Sequence, residues 1–438
     1  MSKTETLPSP DGVPLFGNGI EFLRDPLGAM RSWASEGDLV RLDIPGQNLH
    51  MVTEPSIIEE ILERKHDKFT IAEQQRDTFA GVQEKSLQRS TGDRWKRQRE
   101  ALQAGFAREN IEMYGDRMVA ETEAWVEARE DGERIDLYRQ MQLLSLSILS
   151  ETLVDVDLSG NEDLVIDAAQ AVIDRGDLRS VGQLVPNWVP TPFRRRFKRT
   201  LGALDEFVGE SVTQRHAAED GDDAGSILLA AHERGDLSLD EVRRNLMSLL
   251  LVGHTSPAVT FTYAWHLLTQ HPEAYDALVA EYDEVVGDGR PSMETFARLD
   301  VTRNVVAETL RLYPTLFMVM RQATEPVTVD GHEFSAGAEF ILPQWVLHRD
   351  ERFWDDPESF DPSRWRRDVD RPDYAYFPFS GGPRHCIAMS FSRVILALSL
   401  ATMAGRVKLN TSVDGPLELK PSLTLKPTND ITATVRRR

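Results

Sequence analysis

One stretch of about 33 residues constrains the fold of this 438-residue chain more than any other. It reads LDEVRRNLMSLLLVGHTSPAVTFTYAWHLLTQH, residues 239–271, and its periodicity is helical. The stretch is longer than most globular helices, and its middle is apolar on all sides. Such a helix is buried, so we expect it to run through the centre of the protein. Ser238 and Glu241, three residues apart, predict a capping box at its start.

The patterns on either side of this stretch predict a mainly α protein with a minor β region. Two strands are expected within residues 38–55, and a hairpin is expected around Asp330 and Gly331. Residues 66–92 are mixed in polarity and predict a long irregular loop. Strand patterns return near the C-terminus. No linker or repeat divides the chain, so we expect one domain over residues 1–438, with a β-containing lobe at about 1–70 and 315–345 and a helical core elsewhere.

The charge of the chain argues against nucleic acid as a partner and suggests a high-salt environment. The formal net charge is −21, and the 50 basic residues comprise 9 lysines and 41 arginines. An acid excess with so few lysines favours a protein adapted to high salt, as expected of a halophilic archaeon, because salt screens the repulsion between carboxylates. The alternative is an ordinary acidic cytosolic protein. No basic patch dominates, so nucleic acid is not an expected partner.

The N-terminus and the hydropathy predict a cytoplasmic protein without a membrane anchor. The first 18 residues, MSKTETLPSPDGVPLFGN, lack the basic and apolar regions of a signal peptide. No uninterrupted apolar run approaches the ~18 residues that cross a bilayer. Cys386 is the single cysteine, which excludes an intramolecular disulfide and any all-cysteine metal site.

The segment FPFSGGPRHCIA, residues 377–388, surrounds that cysteine and is called the cysteine loop below. Its Gly-Gly-Pro sequence predicts a tight turn with exposed amides. Cys386 follows at the start of a helical run, where amide donors and the helix dipole stabilise a thiolate. A thiolate so placed is either a nucleophile or a metal ligand. A nucleophile needs a base, and the adjacent His385 normally points elsewhere; a haem ligand needs a close approach and a cation such as Arg384. A buried, inert cysteine is the third interpretation.

Two further motifs lie upstream of the cysteine loop. In AETLRLYP, Glu308 and Arg311 are three residues apart and therefore share a helix face. Taken alone, they are interpreted as an ordinary exposed ion pair. In FDPSRW, Arg364 lies on an irregular segment and carries little information by itself.

Together and in this order, these motifs resemble those of the cytochromes P450, the haem-thiolate monooxygenases. Glu308 and Arg311 match the family's E-x-x-R helix, and Arg364 matches the arginine that completes that cluster. The resemblance covers essentially the whole chain. The family's haem-binding signature is matched by Phe379, Gly382, Arg384, Cys386 and Ala388.

The resemblance implies a P450 fold with haem b between the long central helix and the cysteine loop. The thiolate of Cys386 is then the axial ligand of the haem iron, as is established for this family. Haem-contacting positions carry over to Trp95, Arg99, Arg321, Phe379, Gly382 and Arg384, with the three arginines paired to the propionates. The cluster of Glu308, Arg311 and Arg364 is expected to be buried and structural rather than catalytic.

The distal oxygen site departs from the family pattern. That pattern is a small residue, glycine, any residue, an acid and threonine, whereas this chain has VGHTS at residues 252–256. Gly253 matches and is expected to leave room for oxygen. Thr255 replaces the acid that helps to deliver protons, and Ser256 replaces the threonine but keeps a hydroxyl. Pro257 predicts a helix kink near residue 253, either functional or a packing feature.

The sequence also suggests roles for His254 and for four apolar residues near the distal site. His254 is expected to be a satisfied interior histidine rather than a second iron ligand. Candidate substrate contacts are Phe79, Leu249, Phe317 and Met318, for each of which an ordinary core position is the alternative. These side chains are apolar, so they imply a lipophilic substrate such as a fatty acid, a terpenoid or a steroid-like molecule.

The leading functional hypothesis is a monooxygenase that inserts one atom of O2 into such a substrate. The chain has no Gly-rich dinucleotide fingerprint, so electrons are expected from a separate ferredoxin or flavodoxin and its reductase. The second hypothesis is a peroxide-using peroxygenase or isomerase, which the missing distal acid favours. The third is a haem-based sensor or binding protein, for which no output domain is recognisable.

Overall fold

The computed structural model describes residues 7–73, 85–177, 191–215, 223–367 and 369–438. Helices dominate these ranges, and the strands form small sheets, so the predicted mainly α class with a minor β region is confirmed. The helices are Gly19–Arg24, Pro26–Ala34, Pro55–Glu59, Gly92–Gly105, Arg108–Glu127, Leu137–Leu149, Glu162–Arg175, Pro192–Arg215, Ala224–Glu233, Leu239–Gly253, Thr255–Gln270, Pro272–Val285, Met293–Phe296, Asp300–Leu312, Gln344–Leu347 and Met389–Arg406. Shorter 3₁₀- or π-helical turns occupy Glu60–Arg64, His66–Lys68, Ser150–Val154, Pro362–Arg366 and Gly382–Arg384.

The largest sheet combines strands from both ends of the sequence. Its order is β1-β2-β8-β5-β3; β2 and β8 are parallel, and the other neighbours are antiparallel. A second sheet has the order β4-β12-β9, and two further pairs are β6-β7 and β10-β11. The strands are β1 Leu39–Leu42, β2 Leu49–Val52, β3 Phe69–Ile71, β4 Arg134–Asp136, β5 Val319–Ala323, β6 Val327–Val329, β7 His332–Phe334, β8 Glu339–Leu342, β9 Val407–Val413, β10 Leu419–Lys420, β11 Lys426–Pro427 and β12 Ile431–Arg437.

One expectation about the strands is wrong and another is confirmed. The stretch 66–92 is not wholly irregular, because β3 lies within it and pairs with β5. Three residues are too few to show a period of two, and the partner strand is about 250 residues away in sequence. The hairpin turning at Asp330 and Gly331 is present, and both residues have positive φ, as a tight two-residue turn requires.

The long apolar stretch is central, as predicted, but it forms two helices, called the central helices below. They are Leu239–Gly253 and Thr255–Gln270, and His254 lies at the junction between them. The capping box of Ser238 and Glu241 is present at the start. Almost every side chain from Thr255 to Leu268 is buried. The break occurs where Pro257, which has no N–H, leaves the Gly253 carbonyl without its helical donor.

A buried ionic cluster links helix Asp300–Leu312 to the irregular segment that follows β8. Glu308 accepts hydrogen bonds from Arg311 Nε at 3.0 Å and Nη2 at 2.8 Å, and from Arg364 Nε at 2.8 Å. The three side chains are between 0 and 3% exposed. Trp365 Nε1 and the Asp361 amide also donate to the Glu308 carboxylate. Glu308 and its partners therefore form the buried cluster that the resemblance implies, not an exposed ion pair.

Glu308 carries one negative charge and its two arginine partners carry two positive ones. Backbone carbonyl dipoles balance the remaining positive charge. Arg311 donates to the carbonyls of His348 and Pro357 at 2.8 and 2.6 Å, and its guanidinium stacks over Trp354. Arg364 donates to the Asp355 carbonyl at 2.7 Å. Because every polar group in the cluster has a partner, the cost of burying three charges is largely offset. The cluster therefore fixes the chain that leads into the cysteine loop.

We predict that Arg364→Met lowers the free energy of unfolding by about 3–5 kcal/mol, because it leaves part of a buried carboxylate charge unpaired. Helix Asp300–Leu312 also provides the matched control. Arg303 pairs with Asp300 at the i,i+3 spacing that Arg311 and Glu308 have, but the Arg303 and Asp300 side chains are 40 and 63% exposed. Arg303→Met is expected to cost no more than ~1 kcal/mol. Urea unfolding of both variants checks this, and equal losses contradict the role assigned to the cluster.

Candidate active site

The cysteine loop is a closed turn that ends just before helix Met389–Arg406. The Cys386 amide donates to the Phe379 carbonyl at 2.9 Å, which closes the turn. Between these residues, Gly382–Arg384 forms a 3₁₀ turn, and Gly382 has a φ of +63°. A Cβ on Gly382 would lie only 1.8 Å from the Leu62 carbonyl oxygen. Gly382 is therefore required twice, by its backbone conformation and by the closeness of the turn Glu60–Arg64.

The Cys386 side chain is accessible to solvent, although the surrounding chain affects its ionisation. Burial raises the pKa of the Cys386 thiol, while the Ala388 amide and the Arg99 guanidinium act in the opposite direction. Ionisation of the free thiol is therefore disfavoured on balance. A bound metal cation removes that disadvantage, since the thiolate is the form that ligates metals. The accessible sulfur has room for such a ligand.

Three arginines converge on the region around the cysteine loop. Arg99 donates to the His385 carbonyl at 2.9 Å, and Arg384 donates to the Ser90 carbonyl at 3.2 and 3.3 Å. Arg321 is 7% exposed and donates to its neighbouring carbonyl of Met320 at 2.9 Å. The partners of all three guanidinium groups are thus neutral oxygens or, for Arg99, also the His385 ring.

These arginines carry positive charge without a carboxylate to balance it. Burial, together with the nearby Arg384, lowers the pKa of Arg321 to about 10. Burial likewise lowers the pKa of Arg384 to about 10, with Arg99 acting in the same direction. Within the described ranges, none of the three forms an ion pair with an acidic side chain. Unpaired buried cations are costly, so this donor set fits a ligand that brings its own carboxylates. Haem b carries two.

The other two predicted haem contacts, Trp95 and Phe379, each lie beside an arginine. The Trp95 ring lies 4.4 Å from the Arg384 guanidinium carbon and stacks against it. Phe379 is half-buried and lies under Arg393 at 5.5 Å. Trp95 therefore acts on the site through Arg384, by holding the guanidinium in place.

His385 is the residue that the sequence interpretation missed. Its Nδ1 lies 2.8 Å from the Gly382 carbonyl oxygen, and its Nε2 lies 3.1 Å from Arg99 Nη2. Since Gly382 O can only accept, Nδ1 carries the proton and Nε2 accepts from Arg99. His385 therefore supports Arg99. No sequence signal could have shown this, because the contact joins residues that are 286 positions apart.

On the distal side, the structure shows which side chain lies beside Gly253. A Cβ at this position would meet the Leu149 methyl carbons at 3.0 and 3.1 Å. The glycine therefore lets Leu149 of helix Leu137–Leu149 pack closely against the central helix, a contact that the sequence does not show. The expectation that Gly253 leaves room for oxygen stays a prediction.

The two hydroxyl residues at the junction of the central helices differ in their surroundings. Thr255 is buried, and its hydroxyl donates to the Leu251 carbonyl at 2.9 Å. Ser256 is half-buried, and within the described ranges no hydrogen bond of its hydroxyl is found. Ser256 thus has the freer hydroxyl.

His254 is an interior histidine: its Nδ1 bonds to the Leu250 carbonyl at 2.5 Å, and burial lowers its pKa to about 4.

The candidate substrate contacts separate into two groups. Phe317 is 3% exposed within a core cluster with Met320 and Trp345, so it is a core residue. Leu249 and Met318 are half-buried at the edges of two core clusters and remain candidates. Phe79 lies outside the described residues.

Comparisons with known proteins agree with this geometry. The sequence pattern of the family described as Cytochrome P450 matches residues 7–433. The chain belongs to the cytochrome P450 family. Cyclooctatin synthase and cyclooctat-9-en-7-ol 5-monooxygenase of Streptomyces melanosporofaciens are each 30% identical to it, over 95 and 92% of this chain and 93 and 89% of their own. Pentalenene oxygenase of Streptomyces avermitilis is 27% identical over 93% of this chain and 92% of its own.

Family membership gives the cofactor and the class of enzyme. This P450 binds haem b and is a monooxygenase. The three relatives are bacterial, so they do not support an archaeal origin. Within the ranges that the structure covers, none of the helices has the length and apolar character needed to cross a membrane.

We predict that Gly382→Ala displaces the cysteine loop of this P450, because the new methyl overlaps the Leu62 carbonyl. Gly331→Ala is the matched control, since Gly331 has a φ of +78° with nothing within 4 Å of the added Cβ. The control therefore measures the backbone strain alone, about 1–2 kcal/mol. Thermal unfolding of Gly382→Ala is expected to show at least twice that loss. Losses within ~0.5 kcal/mol of each other contradict the close approach.

Proposed function

We propose that this chain is a haem-thiolate monooxygenase that inserts one oxygen atom from O2 into a lipophilic small molecule. The observation that carries the proposal is a lone, accessible cysteine beside three arginines that have no acidic partner among the described residues. A nucleophilic cysteine does not require such a set of cations, whereas a dianionic cofactor does. We further propose that the whole chain forms one haem domain.

In this proposal the residues of the cysteine loop and its surroundings hold the cofactor. Cys386 ligates the haem iron, while Arg99, Arg321 and Arg384 bind the propionates. Trp95 holds the Arg384 guanidinium in place, Phe379 would pack against the cofactor, and Gly382 permits the turn. Haem b, once bound, supplies the iron at which O2 is activated. The Ala388 amide lies against the sulfur and limits the negative charge that it carries.

Proton delivery on the distal side is assigned to Ser256 rather than to Thr255. The Thr255 hydroxyl is already committed to the Leu251 carbonyl, and no carboxylate occupies this position. Ser256 can both donate and accept a hydrogen bond, so its hydroxyl could hold and relay a proton on the distal side of the haem that this site would bind. Gly253 contributes indirectly, by letting Leu149 pack against the junction of the central helices.

The substrate is proposed to be an unsaturated compound of the terpenoid class with few or no polar groups. Two relatives are named for cyclooctat-9-en-7-ol and pentalenene, and both names describe unsaturated carbon skeletons. The remaining pocket candidates, Leu249 and Met318, are apolar. A fatty acid is less well matched, because its carboxylate needs a cation beside an apolar pocket.

Electrons are proposed to come from a separate ferredoxin or flavodoxin with its reductase. Helix Gly92–Gly105 contacts the cysteine loop through Arg99, so we propose that the carrier docks on the face of the protein near Cys386. A cytoplasmic location and adaptation to high salt also remain proposals, and the second rests on the net charge of −21 alone.

A peroxide-using peroxygenase is the second candidate, and one observation favours it. The position of the distal acid is held by a buried threonine whose hydroxyl is not free. A peroxide already contains the reduced oxygen, so its use needs less proton delivery. Turnover with hydrogen peroxide but none with reduced ferredoxin and O2 would establish this candidate over the first.

The proposed ligation predicts a specific absorption change. The reduced holoprotein with carbon monoxide is expected to show the red-shifted band of a thiolate-ligated haem. Cys386→Ser is expected to abolish that band completely, because the serine hydroxyl does not ionise at neutral pH. Since the chain has one cysteine, no other residue can replace the thiolate. Persistence of the band in the serine variant rules the assignment out.

The distal assignment predicts different effects for two neighbouring hydroxyls. Ser256→Ala is expected to raise the fraction of electrons lost as hydrogen peroxide on the order of tenfold, the value of one lost hydrogen bond. Thr255→Val keeps the side-chain shape and is expected to change that fraction less than about twofold, because its hydroxyl serves the Leu251 carbonyl. The measurement is peroxide formed per NADPH consumed with a supplied ferredoxin and reductase. Equal effects of the two substitutions contradict the assignment.

A further inference from the structure

A tyrosine–glutamate pair beneath the cysteine loop has no role in the function proposed so far. Tyr374 is 8% exposed, and its hydroxyl donates to the Glu63 carboxylate at 2.5 Å. The two residues are 311 positions apart. Glu63 itself is exposed and belongs to the turn Glu60–Arg64. The pair therefore connects this turn to the chain that leads into the cysteine loop.

Tyr374 has an unusual backbone conformation. Its φ is +67°, a left-handed value that bulky residues rarely adopt. Such a conformation persists only where the surroundings hold it. Here the hydroxyl is fixed by Glu63, and the ring packs against Phe377 with centroids 5.9 Å apart. The position of this ring is thus determined at both ends.

The ring forms one of two surfaces that enclose the paired glycines of the cysteine loop. A Cβ on Gly381 would lie 2.3 Å from Tyr374 Cε1 and Oη, and a Cβ on Gly382 would lie 1.8 Å from the Leu62 carbonyl oxygen. The Gly382 amide also lies against the phenol oxygen. Leu62 and Glu63 are neighbours in one turn, so the bond to Glu63 keeps both surfaces at a fixed separation.

The paired glycines are connected directly to the cysteine. The Gly382 carbonyl accepts from the His385 amide at 3.0 Å and lies 2.8 Å from the His385 ring nitrogen. His385 in turn contacts Arg99 and precedes Cys386. A displacement of Gly381 and Gly382 therefore moves the cysteine and the arginine together.

We propose that Tyr374 and Glu63 are positioning residues that hold the cysteine loop in the geometry needed for iron ligation. The proposal rests on the proposed function, in which Cys386 ligates the haem iron. It assigns to the phenol–carboxylate bond a role beyond stability: without it, the ring still packs, but the two surfaces around the glycines are no longer held together.

The test compares two tyrosines of the same segment in the holoprotein. Tyr374→Phe keeps the ring and removes the bond to Glu63, so the red-shifted band of the carbon monoxide complex is expected to decay about tenfold faster in moderate urea, the effect of one charge-assisted hydrogen bond. Tyr376→Phe is the control, because its hydroxyl donates to the Ala307 carbonyl at 3.0 Å, away from the glycines. Its decay rate is expected to stay within about twofold of the wild type. Equal decay rates of the two variants overturn the proposal.

Substitutions of Glu63 complete the test. Glu63→Gln keeps an acceptor and is expected to retain most of the wild-type decay rate, whereas Glu63→Ala is expected to match Tyr374→Phe. The double variant Tyr374→Phe with Glu63→Ala is expected to be no faster than either single variant, since both remove one bond. Additive effects overturn the pairing. Absence of the red-shifted band from the wild type is a separate outcome, which rejects the thiolate ligation and with it this proposal.

Discussion

The carboxylate of Glu308 is the interaction on which the proximal half of this protein depends. It is fully buried and is held by two arginines, an indole N–H and a backbone amide. A buried charge of this kind is tolerated only when all of its hydrogen-bonding sites are occupied. The requirement makes helix Asp300–Leu312 and the segment around Arg364 into one unit. The chain then continues from that unit into the cysteine loop.

A second group of arginines differs from Arg311 and Arg364 because its members have no acidic partner among the described residues. Arg311 and Arg364 share the Glu308 carboxylate and many carbonyls, so their charge is balanced within the fold. Arg99, Arg321 and Arg384 have carbonyl partners but no acid among the described residues. Balanced charges stabilise a scaffold, whereas unbalanced ones attract a ligand. The contrast between the two groups separates the structural arginines from those proposed to bind the cofactor.

The sequence predicted those features of the fold and of the site that depend on residues close together in the chain. The turn at Gly382, the capping box at Ser238 and the hairpin at Gly331 depend on neighbouring residues, and the structure contains all three. The roles of His385 and Gly253 depend on residues 286 and about 100 positions away. No local pattern contains that information. Strand β3 was missed for the same reason, because its identity comes from pairing with β5.

The distal side shows how a departure from a family motif can be compensated by geometry. Replacing the acid by Thr255 removes a carboxylate from a fully buried position, where its ionised form would have been costly. The two central helices meet at His254, and Pro257, which has no N–H, interrupts the helical hydrogen bonds there. Thr255 satisfies the preceding helix by donating to Leu251, which leaves Ser256 as the hydroxyl that is not used by the backbone. This arrangement is the reason for proposing Ser256, rather than Thr255, as the residue that relays protons.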